Sequence, residues 1–162
     1  GGAGPWAFVT VKAAVPLTQP LHAGYKMTKK VEVIQAFKPG QLSRGDVVKV
    51  TITVDATAER NWVVVNDPIP AGATIVGDLG GQSAMLQASG DGEGVQPSYV
   101  ERGRDAWRGY FAWVPRGRFV VAYTVRLNGA GRFGLPPSRV EAMYSPAIRA
   151  AVPNAPLVVG MR

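Results

Sequence analysis

Hydrophobic and polar residues alternate along most of this chain with a period of two, the pattern of strands with one buried face. The strongest run is Arg118–Asn128, RFVVAYTVRLN, where Phe119, Val121, Tyr123, Val125 and Leu127 fall on one side. Ser43–Ala56 repeats it, with Val48, Val50, Ile52 and Val54 facing one way and Lys49, Thr51 and Thr53 the other. Met27–Phe37 reads as a strand with Val31, Val33, Gln35 and Phe37 aligned, broken by Pro39-Gly40. Trp6–Lys12, Tyr99–Arg102, Trp107–Val114 and Arg139–Met143 read as further strands, and Pro115–Gly117 as a turn. Trp62–Asn66 is a short apolar strand that ends at Asp67–Gly72, whose two prolines do not suit a central strand. Val15–Gly24, with Pro16 and Pro20, reads as a loop, and so does Gly77–Pro97. Only Ser83–Ala88 suits a helical turn, with Ser83 as cap. Eight or nine short strands with turn signals about every ten residues predict an all-β chain. The expected architecture is an antiparallel β-sandwich with at most one short helix.

Composition supports this. The 20 glycines and 13 prolines fall between β-branched runs, as turns do. A length of 162 residues suits one domain, and no run is long and apolar enough for a transmembrane helix. The opening Gly-Gly-Ala-Gly-Pro reads as a linker, so the chain is expected to be a piece of a longer protein. With no cysteine, disulfides, thiolate metal sites and cysteine nucleophiles are excluded. The formal charge of +7 is unevenly placed. Residues 1–98 balance eight cations with eight acids, whereas residues 99–162 carry ten arginines against three acids. A one-sided basic surface suits an acidic partner.

Candidate chemistry is sparse. His22 is the one histidine, in a proline-flanked loop, and the only base for a hydrolytic triad. GQLSRG and GGQSAM do not match a nucleophile elbow. GDLGG lacks the lysine of a phosphate loop. GDGEG, residues 90–94, has too few ligands for a calcium loop. No catalytic residue, metal site or cofactor is expected. Arg102, Arg104 and Arg108 share parity near Tyr99, Trp107 and Tyr110, a possible basic surface on which bases would stack. Strand aromatics are more often core, so nucleic acid is not the expected partner.

Two stretches resemble one family. AFKPGQLSRGDVVKVTITVDATAERNWVVVNDPIPAGATIV is similar to the start of the last macroglobulin-like domain of bacterial alpha-2-macroglobulins. RFVVAYTVRLNGAGRFGLPPSRVEAMYSP resembles its closing section: an arginine-bearing strand, a G-F-LPP turn and an A-MY-P loop. The resemblance implies a macroglobulin or immunoglobulin-like fold. It divides the chain into residues 1–26, a linker or the end of a preceding β-domain, and residues 27–162, the C-terminal macroglobulin-like domain. It implies a non-enzymatic part of a periplasmic, lipid-anchored, broad-range endopeptidase inhibitor, a protease trap of Gram-negative bacteria. Any membrane contact would then run through an anchor elsewhere in the parent. Some family members hold a reactive thioester on a helical domain, against which this domain docks. The resemblance makes Met143 and Tyr144 the loop that shields it, held by Pro146 and approached through Pro136 and Pro137. A soft thioether and a flat ring suit a dry cover. Burial statistics alone would instead place Met143 and Tyr144 in the domain's own core. A different class of function is a free-standing basic β-sandwich that binds an acidic polymer, nucleic acid or glycan.

Overall fold

The structure, a computed structural model, describes residues 4, 5, 7–11, 13, 15–76 and 95–162. Its strands in chain order are β1 (Leu21–Ala23), β2 (Tyr25–Gln35), β3 (Val47–Ala56), β4 (Arg60–Pro68), β5 (Thr74–Val76) and β6 (Tyr99–Arg102). They continue with β7 (Ala106–Val114), β8 (Gly117–Arg126), β9 (Gly131–Phe133), β10 (Ser138–Ala142), β11 (Ser145–Val152) and β12 (Leu157–Val159). Six form one antiparallel sheet, ordered β1-β11-β10-β4-β7-β6. Four form a second, ordered β2-β3-β8-β5, and β12 pairs with β9.

The sheets face each other through the alternating residues. From the four-stranded sheet, Val48, Val50, Ile52, Val54, Phe119, Val121, Tyr123 and Val125 are buried. They meet Val63, Val65, Trp107, Phe111, Val140 and Ala150 of the six-stranded sheet. Two aromatic pairs cross the gap. Trp107 stacks on Tyr123 at 5.2 Å between ring centroids, and Phe111 meets Phe119 at 5.5 Å. The antiparallel sandwich expected from the alternation is therefore present.

A polar clasp ties the layers together beside this core. Asp67, at the end of β4, is fully buried. Its carboxylate accepts hydrogen bonds from Lys29 Nζ at 2.7 Å, from the Tyr123 hydroxyl and from the Ser138 hydroxyl. Lys29 and Tyr123 belong to the four-stranded sheet, Asp67 and Ser138 to the six-stranded one. Burial, then the Asp67 charge, pushes the Tyr123 phenol well above its ordinary range.

Several local expectations differ. Residues 7–11 alternate but form no strand, and Phe8, Val9 and Val11 are exposed because none of the described strands pairs with them. The loop expected over Val15–Gly24 ends in β1, which pairs with β11. Segment 1–26 thus contributes β1 and the first two residues of β2. There are twelve described strands rather than eight or nine, the additions being the three-residue strands and β11. Ser43–Asp46 turns rather than extends, because the Asp46 carboxylate accepts the Phe37 and Ser43 N–H groups, both at 2.8 Å. The helical turn expected over Ser83–Ala88 and the GDGEG segment lie outside the described residues.

Candidate functional site

Met143 and Tyr144 are the two central residues of the turn that joins β10 to β11. Two-residue hairpins favour turns with positive φ, which match strand twist; ordinary turns splay the strands. Neither Met143 nor Tyr144 has positive φ. The ladder answers with a bulge: Glu141 pairs with Arg149 but Ala142 with Ser145, which leaves Pro146, Ala147 and Ile148 unopposed on β10. Pro146 therefore lies in the bulge beside the turn. The result displays both side chains outward, Met143 46% and Tyr144 78% exposed. They do not close the domain's own core.

The turn is braced by a residue that the sequence reading passed over. The Met143 N–H donates to the Trp62 carbonyl at 2.7 Å, one rung beyond the Ala142–Val63 pair. The Trp62 and Tyr144 rings meet edge to face at 6.4 Å and 90°. Trp62 has a φ of 54°, the one non-glycine residue with positive φ among those described. It is 50% exposed, and Trp113, opposite Asn61 in β7, is also half-exposed. The signal for Trp62 was an aromatic at the first position of an apolar strand. Its meaning depends on a β4–β10 register that no local pattern encodes.

Pro136 and Pro137 lie elsewhere. Six residue steps along β10 put Pro137 about 20 Å from Met143. Both prolines line a cleft of about 510 Å³ with Pro68, Ile69, Arg104, Arg108, Arg132, Phe133 and Leu135. The site residues expected from the sequence thus separate into two groups, one at each end of β10.

The expected arginine row is also divided. β6 pairs with β7 so that Glu101 opposes Arg108 and Arg102 opposes Trp107. Arg102 therefore stands on the other face of this strand pair from Arg108, because the turn between them shifts parity. Arg108 lies between Glu101 Oε1 at 2.7 Å and Asp105 Oδ2 at 2.5 Å. The Arg108 hydrogen bond draws the Asp105 carboxyl below its usual value, and Asp105 in turn raises Arg108. Tyr99 and Tyr110 sit together on the outer face at 5.9 Å, but Trp107 is in the core. His22 is exposed on β1 opposite Ala150. Among the described residues no three His, Cys, Asp or Glu side chains gather as metal ligands, and no helix is long and apolar enough to cross a membrane.

Two antiparallel sheets packed face to face, with an aromatic turn displayed at one end, define an immunoglobulin-like β-sandwich module. The model of the bacterial alpha-2-macroglobulin MG10 domain matches residues 24–147, and the chain belongs to that family. No curated protein matches it. Among solved structures, the chain is similar to native Escherichia coli alpha-2-macroglobulin spanning domain MG7 to the C-terminus. That likeness has a TM-score of 0.71 at 20% identity and covers 90% of this chain and 25% of that one. A Salmonella alpha-2-macroglobulin mutant gives 0.71 at 23% identity, over 88% of this chain and 10% of the other. Trypsin-activated E. coli alpha-2-macroglobulin gives 0.69 at 23%, over 88% and 11%. The chain thus spans between a tenth and a quarter of these relatives' length.

Proposed function

We propose that this chain is the C-terminal docking domain of a bacterial alpha-2-macroglobulin that works as a periplasmic, lipid-anchored protease trap. The domain itself is not an enzyme. It docks on a helical domain of the same polypeptide, and the Met143–Tyr144 turn covers that domain's thioester against water. Target proteases meet the full-length protein rather than this domain alone. Residues 21–162 form the docking unit, because β1 and the buried Tyr25 belong to its sandwich, and the segment before β1 is a linker or the end of a preceding β-domain.

One observation carries this reading: Met143 and Tyr144 are displayed on a braced turn instead of buried in their own core. Displaying two large apolar side chains costs solvation free energy, which a covering partner would return. The trypsin-activated form of a structurally similar E. coli protein supports a role in protease capture. The binder of nucleic acid or glycan is less well supported, because Arg108 is neutralised and Trp107 is unavailable for stacking.

The test uses the full-length parent with Met143→Ala and Tyr144→Ala combined. If the parent carries a Cys-x-x-Gln thioester, the double variant loses it to hydrolysis or methylamine at least about tenfold faster, as expected once water is admitted. Unchanged thioester lifetime and unchanged packing of the helical domain would refute the shielding role. In a parent without that motif, the same variant tests docking alone, read as earlier protease cleavage at the domain junction.

A further inference from the structure

The cleft at the far end of β10 has chemistry unlike that of the aromatic turn. Its wall is apolar, built from Phe133, Leu135, Pro136 and Pro137, and its volume of about 510 Å³ would hold a few residues of extended chain. The wall is also firmly set. The Pro136 carbonyl accepts Asn154 Nδ2 at 2.6 Å, and Asn154 also donates to Ser138 Oγ at 3.0 Å. Ser138 in turn joins the buried Asp67 clasp. A wall tied to the core loses little freedom when a ligand binds, which favours affinity.

The rim is cationic. Arg104 and Arg132 line the cleft, are exposed, and make no ion pair among the described residues. Arg108 lines it too, but Glu101 and Asp105 already neutralise it. Two free guanidinium groups beside a proline- and phenylalanine-lined wall complement one carboxylate flanked by apolar groups. A polyanion fits less well. Asp105 lines the same cleft, and Trp107, beside Arg108 in sequence, is buried against Tyr123 and so cannot stack on a base.

We propose that this cleft binds an extended acidic peptide segment. Its carboxylate is held by Arg104 and Arg132, and its neighbouring apolar side chains rest on Phe133, Leu135 and the Pro136–Pro137 wall. This site is independent of the Met143–Tyr144 reading, which concerns the opposite end of β10.

The test is amide chemical-shift titration of the isotope-labelled 162-residue chain. The probes are N-acetyl-Leu-Asp-Phe-amide and its Asn counterpart. The expected result is saturable shifts at residues 103–106 and 131–135, with Met143 and Tyr144 quiet. The Asn peptide binds about tenfold more weakly, as does the Asp peptide to the Arg104→Gln plus Arg132→Gln variant. Raising salt from about 50 to 300 mM weakens binding several-fold. Equal affinity for both peptides, an unaffected double variant, or no saturable shift overturns the proposal. Because both arginine side chains are exposed, that variant retains the fold, which its unchanged core methyl signals verify. If an oligothymidylate shifts the same amides at lower concentration than the peptide, the site is one for nucleic acid and the peptide proposal falls.

Discussion

Trp62 holds a left-handed backbone that a bulky residue adopts at a cost of roughly 1–2 kcal/mol. What it gains is local: its carbonyl receives Met143, and its ring meets Tyr144. An edge-to-face aromatic pair is worth about 0.5–1.5 kcal/mol. Trp62→Gly removes the strain and the ring together, so the opposing effects nearly cancel. Chemical denaturation should place this variant within about 1 kcal/mol of the parent chain. The Tyr144 ring protons, now freed from the indole, should move toward the shifts of an isolated tyrosine. A second residue-scale prediction concerns Asp67. Asp67→Ala leaves Lys29 and the Tyr123 hydroxyl without their acceptor in the interior, and about 3–5 kcal/mol of stability should be lost. Tyr123 also sets a pH dependence. Its folded-state pKa is raised, so the native state keeps a proton that the unfolded chain releases near pH 10. The neutral phenol's contribution is complete below that pH and is lost as pH rises toward the folded value. Stability measured from pH 9 to pH 11 should therefore fall, and less steeply in Tyr123→Phe. Equal slopes would place the alkaline sensitivity elsewhere.

At the scale of strands, Gly109 shows how one position shapes β7. A Cβ there would sit 2.4 Å from Trp107 Cη2 and 2.9 Å from Cζ3, because the indole lies across the space that a side chain would need. Gly109→Ala forces the ring out of its stack on Tyr123. The expected cost is about 1–3 kcal/mol, together with loss of near-ultraviolet circular dichroism from the buried indole. The long strands were legible because five or more positions alternate, as from Phe119 to Leu127. β1, β5, β9 and β12 have three residues each and offer too few positions for any period to register. β11 was hidden by Pro146 and a run of alanines, which lack strand character of their own and pair because β10 and β1 flank them. Residues 7–11 mark the opposite case, since alternation states which face would be buried but not that a partner strand exists. The Met143–Tyr144 turn was legible only through the family resemblance, since the alternation carried the strand on to Met143, one residue beyond the end of β10. The clasp was not: Asp67 lies 38, 56 and 71 residues from Lys29, Tyr123 and Ser138, and only the closed sandwich brings them together.

For the whole molecule, β10 separates two surfaces of different chemistry, an aromatic turn without charge and an apolar cleft with free arginines. The clasp at Ser138 anchors the cleft end, while Trp62 braces the turn end. Residues about 20 Å apart with no shared partner should act additively, within about 0.5 kcal/mol. This separates a surface role for Met143 and Tyr144 from a structural one. If they serve only as contact surface, Met143→Ala plus Tyr144→Ala leaves denaturation of the 162-residue chain within about 1 kcal/mol of the parent. Peptide affinity at Arg104 and Arg132 stays unchanged in the same variant. If the turn instead helps hold β10 and β11 in register, both quantities drop together, because the bulge at Glu141–Ala142 slips and carries the Pro136–Pro137 wall with it. Parallel denaturation and titration of the one double variant decide between these outcomes.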